Sequence, residues 1–246
     1  MPEDLFAKAV ALLQKSQKCV ALTGAGVSTE SGIPDFRGKN GLWSRYDPVE
    51  YGTLGAFMAD PEKIWHMLAV LLDVVDAEPN NGHKALATLE QQGLLSGIIT
   101  QNIDSLHQKA GSKNVVEFHG SFDTFSCLSC GDSYDLSYVK AGTLPPHCAS
   151  CAAILKPDIV FFDEYIPGMV LTRSEDMLAS ADLLLVAGTS CQVPPAARIP
   201  FVVHSSGGRI IEINREPVLT HVSEITLEGN FSTVMEILLE KLAQNS

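Results

Sequence analysis

KCVALTGAGVSTESGIPDFRG, Lys18 to Gly38, begins as a strand and a glycine turn and then departs from that pattern. Lys18-Cys19-Val20-Ala21-Leu22-Thr23 is apolar nearly throughout, which predicts a buried strand ending at Gly24. Gly24-Ala25-Gly26 supplies the small residues that let backbone approach a pyrophosphate, whose charge N–H groups satisfy. A dinucleotide fingerprint expects a further glycine where Thr29 stands. Ser28-Thr29-Glu30-Ser31-Gly32 reads as the start or cap of a helix that Pro34 ends. A cap and turn account for Ser and Thr, but not for Asp35-Phe36-Arg37-Gly38. In that loop Arg37 suits a phosphate and Phe36 suits the face of a planar ring.

Outward from this stretch, other short apolar runs end in small or polar residues. They are Leu95–Thr100, Asn114–Phe118, Asp158–Phe162, Asp182–Ala187 and Arg209–Ile213. Helical periods lie between several of them, at Lys84–Gln92, Ser174–Ser180 and Ser232–Ala243. Met1 to Lys18 carries Leu5, Phe6, Ala9, Val10, Leu12 and Leu13 at helical spacing, so it reads as an amphipathic helix and not a signal peptide. Continuous apolar strands alternating with helices imply an α/β fold: a Rossmann-like parallel sheet with helices on both faces. Two segments break the alternation. Leu42–Val75 is mostly helical, with Trp65, Leu68, Leu71 and Leu72 on one face, and Ser126–Ile154 holds four cysteines. Both read as insertions forming a small lobe, with the ligand cleft between lobes.

The cysteine spacing is specific. Cys127/Cys130 and Cys148/Cys151 form C-x2-C-x17-C-x2-C, within the range of a zinc ribbon. Four thiolates fill a tetrahedral zinc and leave no open position, so the ion is expected to be structural. Cys19 and Cys191 sit in apolar contexts and read as small buried hydrophobes. No apolar run approaches a membrane span, and thiols without an oxidising context point to the cytoplasm. A net charge of −12 argues against nucleic acid as a partner and is compatible with a lysine-rich peptide.

Polar clusters follow the predicted strand ends, where open parallel sheets place their sites. After Thr100 come Gln101-Asn102-Ile103-Asp104-Ser105-Leu106-His107. Asp104 or Ser105 suits a helix cap, which leaves Gln101 and Asn102 without a role. His119-Gly120 ends another run, and its imidazole suits a general base. His66, His83, His107, His147, His204 and His221 lack such a setting and read as structural or surface residues. Gly188-Thr189-Ser190 and Asn214-Arg215-Glu216 end two more strands, placed for ribose hydroxyls or an adenine edge.

GAGVSTESGIPDFR, TQNIDSLH, His119-Gly120, the two CxxC pairs, KPDIVFF, GTS and IN run in order from Gly24 to Asn214. In that order the chain resembles the sirtuins, NAD-dependent protein-lysine deacylases. The resemblance implies one catalytic unit over 1–246. Its large Rossmann-like domain would span about 1–38, 84–120 and 155–246, and its small lobe a helical module (about 39–83) and a four-cysteine zinc-ribbon module (about 121–154). It implies that Gly24, Ala25, Gly26, Ser28, Thr29, Asp35, Phe36 and Arg37 contact NAD. Gln101, Asn102, Ile103 and Asp104 would form the ribose and carboxamide pocket, and Gly188, Thr189, Ser190, Asn214, Arg215 and Glu216 would hold the adenosine half. His119, Asn102 and Asp104 would carry catalysis, and Val160, Phe162, Asp163, Glu164 and Val193 would meet an acyl-lysine protein or peptide.

The implied reaction cleaves the bond between nicotinamide and ribose, so the loop after Gly26 must surround a sugar. The acyl oxygen attacks the ribose carbon, His119 takes a proton from the ribose hydroxyls, and the products are nicotinamide, free lysine and 2′-O-acyl-ADP-ribose. The alternative is mono-ADP-ribosyl transfer to another acceptor. Two residues depart from the family pattern: Asp163 where glycine is usual, and Pro194, which has no N–H to give a peptide strand, where an aromatic is common. Members that prefer acidic acyl groups carry Tyr and Arg in the helical module, and Trp65–Leu72 has neither. Acetyl or longer fatty acyl groups are therefore expected over succinyl or malonyl.

Overall fold

The computed structural model describes residues 3–38 and 41–244. Residues 1–2, 39–40 and 245–246, which the expected helix and lobe boundaries include, lie outside the described residues. Helix α1 (Glu3–Lys15) leads into β1 (Cys19–Thr23), and a 3-10 helix (Ala25–Ser31) follows where a Rossmann helix would begin. Next come α2 (Pro48–Tyr51), α3 (Leu54–Ala59) and α4 (Pro61–Leu72). Each is opened by a side chain accepting a backbone N–H, from Asp47, Thr53 and Asp60 respectively. Then follow α5 (Asn81–Gln91), β2 (Gly97–Thr100), α6 (Leu106–Lys109) and β3 (Val115–Glu117). The cysteine segment carries β4 (Gly120–Ser126), β5 (Ser133–Asp135), α7 (Leu136–Ala141) and β6 (Lys156–Ile159). The chain finishes with α8 (Gly168–Leu178), β7 (Leu183–Ala187), α9 (Ile199–Ser205), β8 (Arg209–Asn214), β9 (Ile225–Glu228) and α10 (Phe231–Gln244).

Six strands form one parallel sheet in the order β3-β2-β1-β7-β8-β9. The strand order reverses at β1, which pairs with β2 on one side and β7 on the other. Ligands bind open α/β sheets at such a switch point. Alternation along β1 builds the two faces. Cys19 and Ala21 join a core with Phe6, Leu13, Leu86, Val234 and Leu238 from α1, α5 and α10. Val20 and Leu22 join a second core with Met177, Leu184, Val186 and Val203 from the α8 and α9 side. Fully burying one such aliphatic side chain is worth roughly 1.5–3 kcal/mol.

A third core lies off the sheet. Ile64, Trp65 and Leu68 of α4 pack with Phe122, Phe125, Cys127, Cys148 and Phe161. Trp65 Nε1–H also donates to the Leu155 carbonyl at 2.8 Å. The helical segment and the cysteine segment thus share one core. Strands β5, β4 and β6 form a separate antiparallel sheet in that order.

Three expectations change. The run at 158–162 is not a strand of the parallel sheet: the strand is Lys156–Ile159, and it pairs antiparallel with β4. Val160–Phe162 continue beyond it, and Phe161 enters the third core. An apolar run reports burial but not the partner that buries it. Strand β9 and helix α9 are additional. β9 has only four residues, with Ile225 and Leu227 facing inward, and gives little periodic signal. Among the described residues no helix is long and apolar enough to cross a membrane.

Candidate active site

The strand registers bring the polar clusters to one rim. Thr23 pairs with Thr100 and with Ala187, Thr100 with Glu117, and Ala187 with Ile213. The turns after these residues therefore lie side by side, around a cleft of about 620 Å³. That volume is typical of a ligand pocket. Gly24, Ala25, Gly26, Thr29, Asp35, Phe36 and Arg37 line it, as do Gln101, Asn102, Ile103 and His119. So do Val160, Phe162, Glu164, Gly188, Thr189, Ser190, Val193, Asn214, Arg215 and Glu216.

The glycine turn is tied to the neighbouring strand end. Gly24 N–H donates to the Ala187 carbonyl at 3.1 Å and Gly26 N–H to the Gly188 carbonyl at 2.8 Å. These two N–H groups hold the turn to its neighbour, while Gly24, Ala25 and Gly26 line the cleft. A Cβ on Gly26 would lie 2.8 Å from the Gly188 Cα, and Gly188 has a φ of +58°. Glycine is required here because two backbones touch. Ser28 is no helix cap either. Its hydroxyl donates to Asp104 at 2.6 Å and accepts from the Asn102 amide at 3.0 Å.

Ser28 and Asp104 thus stand behind the cleft, lining a small adjoining pocket, and Asn102 faces both spaces. Burial raises the Asp104 pKa, against the hydrogen bonds from Ser28 and from the Leu106 N–H that lower it. Asp104 also accepts the Leu106 N–H at 3.0 Å, the first amide of α6, from the position before the Ser105 cap. Gln101 Nε2 donates to Thr189 Oγ1 at 2.9 Å, and Asn214 Nδ2 to the Thr189 carbonyl at 3.2 Å.

His119 Nδ1 lies 3.1 Å from the Gln101 carbonyl. A carbonyl only accepts, so Nδ1 carries the proton and Nε2 keeps a lone pair. Burial lowers the pKa of the ring and Arg37 lowers it further, while the Gln101 bond opposes both. The neutral, basic form is therefore favoured. The His119 carbonyl accepts from Val160 N–H at 2.9 Å, which ties this residue to the wall formed by Val160 and Phe162. Asp163 is turned away from the cleft: its carboxylate accepts from the Leu54 and Gly55 N–H groups at the start of α3.

The four cysteine sulfurs lie within 4.8 Å of one another. Cys127–Cys151 and Cys130–Cys148 are 3.4 and 3.5 Å apart. A tetrahedral zinc with ~2.3 Å bonds to sulfur needs edges of about 3.8 Å, so the set fits that ion. Tyr134 lies against the cluster, with its hydroxyl 3.2 Å from Cys148 Sγ.

A family profile described as the Sir2 family matches residues 24–195. The chain belongs to the Sir2 family. It is 45% identical over 234 residues to NAD-dependent protein deacylase 1 of Archaeoglobus fulgidus, covering 94% of this chain and 96% of that one. A mutant Sir2 homologue solved with ADP-ribose superposes with a TM-score of 0.92 at 42% identity, covering 100% of this chain and 98% of that one. A mutant Sir2 solved with a deacetylated p53 peptide and 3′-O-acetyl-ADP-ribose superposes with a TM-score of 0.91 at 34% identity, covering 96% and 98%.

In and around this Sir2-family cleft, three residues had no role assigned from sequence. Trp43 lines the wall between Phe36 and Phe162, with ring centroids 5.8 and 5.7 Å away. An aromatic in an otherwise polar loop was its signal. Glu212 is fully buried in β8. Its carboxylate accepts from Asn214, Val218 and Leu219, which orders the Asn214 turn. A carboxylate inside an apolar strand was its signal. Lys156, buried in β6, is the third.

Behind the Gln101–Asn102 turn sit two buried histidines, His83 and His107, with ring centroids 4.9 Å apart. His107 Nε2 bonds Thr23 Oγ1, which donates to Thr100 Oγ1, and that oxygen accepts the Asn102 N–H. Burial pushes the His83 pKa down from 6.5 to about 4, and that of His107 well down. A folded-state pKa below the unfolded one means that the unfolded chain binds more protons between pH 4 and 6.5. Stability then falls as pH drops through that window. His83 alone should lose roughly 2 kcal/mol between about pH 7.5 and 5. Urea unfolding at those two pH values should show His83→Phe losing less than wild type by about this amount. An equal loss in both proteins would refute the assignment.

Proposed function

We propose that this protein removes acyl groups from protein lysine side chains with NAD as co-substrate, releasing nicotinamide, free lysine and 2′-O-acyl-ADP-ribose. It is an NAD-dependent protein deacylase of the Sir2 family. The observation that carries the mechanism is His119. Its ring is fixed through Nδ1 to the Gln101 carbonyl, and its own carbonyl holds Val160. The proton acceptor and the substrate wall are thereby joined.

Bound NAD supplies a ribose carbon activated by departure of nicotinamide. Gly188, Thr189, Ser190, Asn214, Arg215 and Glu216 hold the adenosine half. Gln101, Asn102 and Ile103 surround the reacting ribose and carboxamide. Ser28 and Asp104 act on that pocket by fixing the Asn102 amide. Asp35, Phe36 and Arg37 close over it from the loop after the glycine turn, where Ala25 and Thr29 also line the space. His119 Nε2 takes a proton from the ribose hydroxyls. Val160 and Phe162 flank the acyl-lysine, Val193 meets the peptide, and Glu164, whose carboxylate accepts from Phe161 N–H and pairs with Lys156, supports that wall from behind. Asp163 contributes through its backbone, because its carboxylate caps α3. Cys127, Cys130, Cys148 and Cys151 hold one structural zinc.

The chain works as one unit of a large and a small lobe, and the small lobe takes in Leu155 to Phe161 beyond the 121–154 expected for the zinc module, because β6 pairs with β4 and Phe161 joins the third core. The four thiols suit the reducing cytoplasm, and the −12 charge favours basic peptides over nucleic acid.

Met67, Leu68 and Leu71 present apolar groups to the cleft, and the helical stretch Trp65–Leu72 that carries them has neither Tyr nor Arg, which supports acetyl or fatty acyl groups. On matched peptides kcat/KM should favour acetyl over succinyl by at least about tenfold, because an unpaired carboxylate is costly to bury. Incubation with NAD and a panel of acyl-lysine peptides, followed by mass spectrometry, tests both points. Comparable succinyl and acetyl rates would remove the acyl preference. NADH formation would remove the whole reading, and nicotinamide release without acyl-lysine would favour ADP-ribosyl transfer.

A further inference from the structure

The wall beside the acyl-lysine path is a loop with few constraints of its own. Val160–Phe162 lie outside both sheets and between the two lobes. Three backbone bonds hold the loop from outside or across its turn. Val160 N–H donates to the His119 carbonyl at 2.9 Å, Phe162 N–H to the Gly52 carbonyl at 2.9 Å, and Glu164 N–H to the Phe161 carbonyl at 3.0 Å. Beside the bonds of the Asp163 carboxylate to Leu54 and Gly55 N–H, a further restraint comes from a buried charge. Lys156 exposes only 6% of its side chain. Its Nζ lies 3.2 Å from the Pro157 carbonyl, 2.8 Å from the Ile159 carbonyl and 3.0 Å from the Glu164 carboxylate. An ammonium has three donors, and each finds one acceptor. The same Glu164 oxygen accepts from Phe161 N–H at 3.1 Å, and Nζ stands 5.0 Å from the centre of the Phe161 ring. One ion pair therefore gathers both ends of the loop and its middle.

We propose that the Lys156–Glu164 pair positions the acyl-lysine wall and sets its place relative to His119, an inference that rests on the function proposed above. Both are positioning residues, acting through residues 159–162. Coulomb attraction in this half-dry setting is strong, and loss of one partner leaves the other buried and unpaired. The carbonyl of His119 is the acceptor for Val160, so a displaced wall also disturbs the alignment of peptide and base.

The test compares wild type with Glu164→Gln and with the double variant Lys156→Met/Glu164→Gln. The glutamine side chain keeps the shape and an acceptor for Phe161 N–H, and the double variant leaves no orphaned charge should the single one fold poorly. Binding of a fluorescent acetyl-lysine peptide by anisotropy, and KM for peptide and for NAD, are the readouts. Peptide Kd and KM should rise about tenfold in the single variant, with the NAD KM within about twofold of wild type. The double variant should rise by a similar factor, since a second loss cannot break the same pair again. Unchanged peptide binding, or an equal rise in the NAD KM, would overturn the proposal, because a merely structural pair would loosen the fold without separating the two substrates. Wild type that binds the peptide without turnover would sink the functional reading and leave the positioning claim standing or falling on the anisotropy. Wild type that does not bind the peptide would sink both.

Discussion

His119→Ala should lower turnover of an acetyl-lysine peptide by about 10²–10⁴, the usual contribution of a positioned base. Its fold and NAD binding should persist. The ring is half-buried, meets Phe118 edge-on with centroids 5.6 Å apart, and has the Gln101 carbonyl as its polar partner. Removing it leaves a wall of the cleft slightly open and no charged group stranded. The Gln101 bond also dictates which nitrogen reacts. With Nδ1 protonated, Nε2 is the basic atom, and it must be neutral to act. Burial and Arg37 together hold the pKa below the ordinary histidine value. The acid limb of kcat/KM should therefore lie below about pH 6.5. Near wild-type rates for the variant, or an acid limb well above that pH, would show that another group takes the proton.

Removal of the metal should have the largest structural effect. Cys127 and Cys148 are buried members of the third core, alongside Trp65, Phe125 and Phe161. The β5-β4-β6 sheet has three short strands and cannot build much core by itself. Binding of a structural zinc supplies about 10–16 kcal/mol in small zinc domains at neutral pH. If only a third of that acts here, Tm should fall by roughly 10 °C or more in Cys148→Ser or after chelation. Activity should be lost with it, because Phe161 leads directly into the Val160–Phe162 wall. One zinc per chain is expected, and cobalt in its place should show the spectrum of a tetrahedral four-sulfur site. A chelated protein that keeps its Tm and its activity would contradict this role.

Much of the cleft was legible in the chain. Strand ends are places where apolar runs give way to polar residues, and at Thr23, Thr100, Phe118, Ala187 and Ile213 that change is abrupt. The cysteine pairs were legible because two tight turns at that spacing can meet around one ion. The peptide wall was not. Val160–Phe162 has the composition of a buried strand, yet the N–H groups of Val160 and Phe162 find His119 and Gly52, far away in sequence. Asp163 looked like a charge for the substrate and instead caps α3, a use visible only once Leu54 and Gly55 lie beside it. The glycine turn showed its small residues but not their reason, which is contact with Gly188.

Residue type and spacing alone determined the chemistry on offer: four thiolates for a metal, an imidazole at a strand end, and a glycine turn followed by an Asp-Phe-Arg loop. The tertiary structure decided which of these meet. The reversal of strand order at β1 and the registers beside it bring positions 24, 101, 119, 188 and 214 to one rim. The loop from Lys156 to Glu164 is held by a buried ion pair and by carbonyls of distant segments. Local sequence records whether a side chain prefers burial and which hydrogen bonds it can make. The partner that satisfies each preference depends on chain segments that only folding brings together.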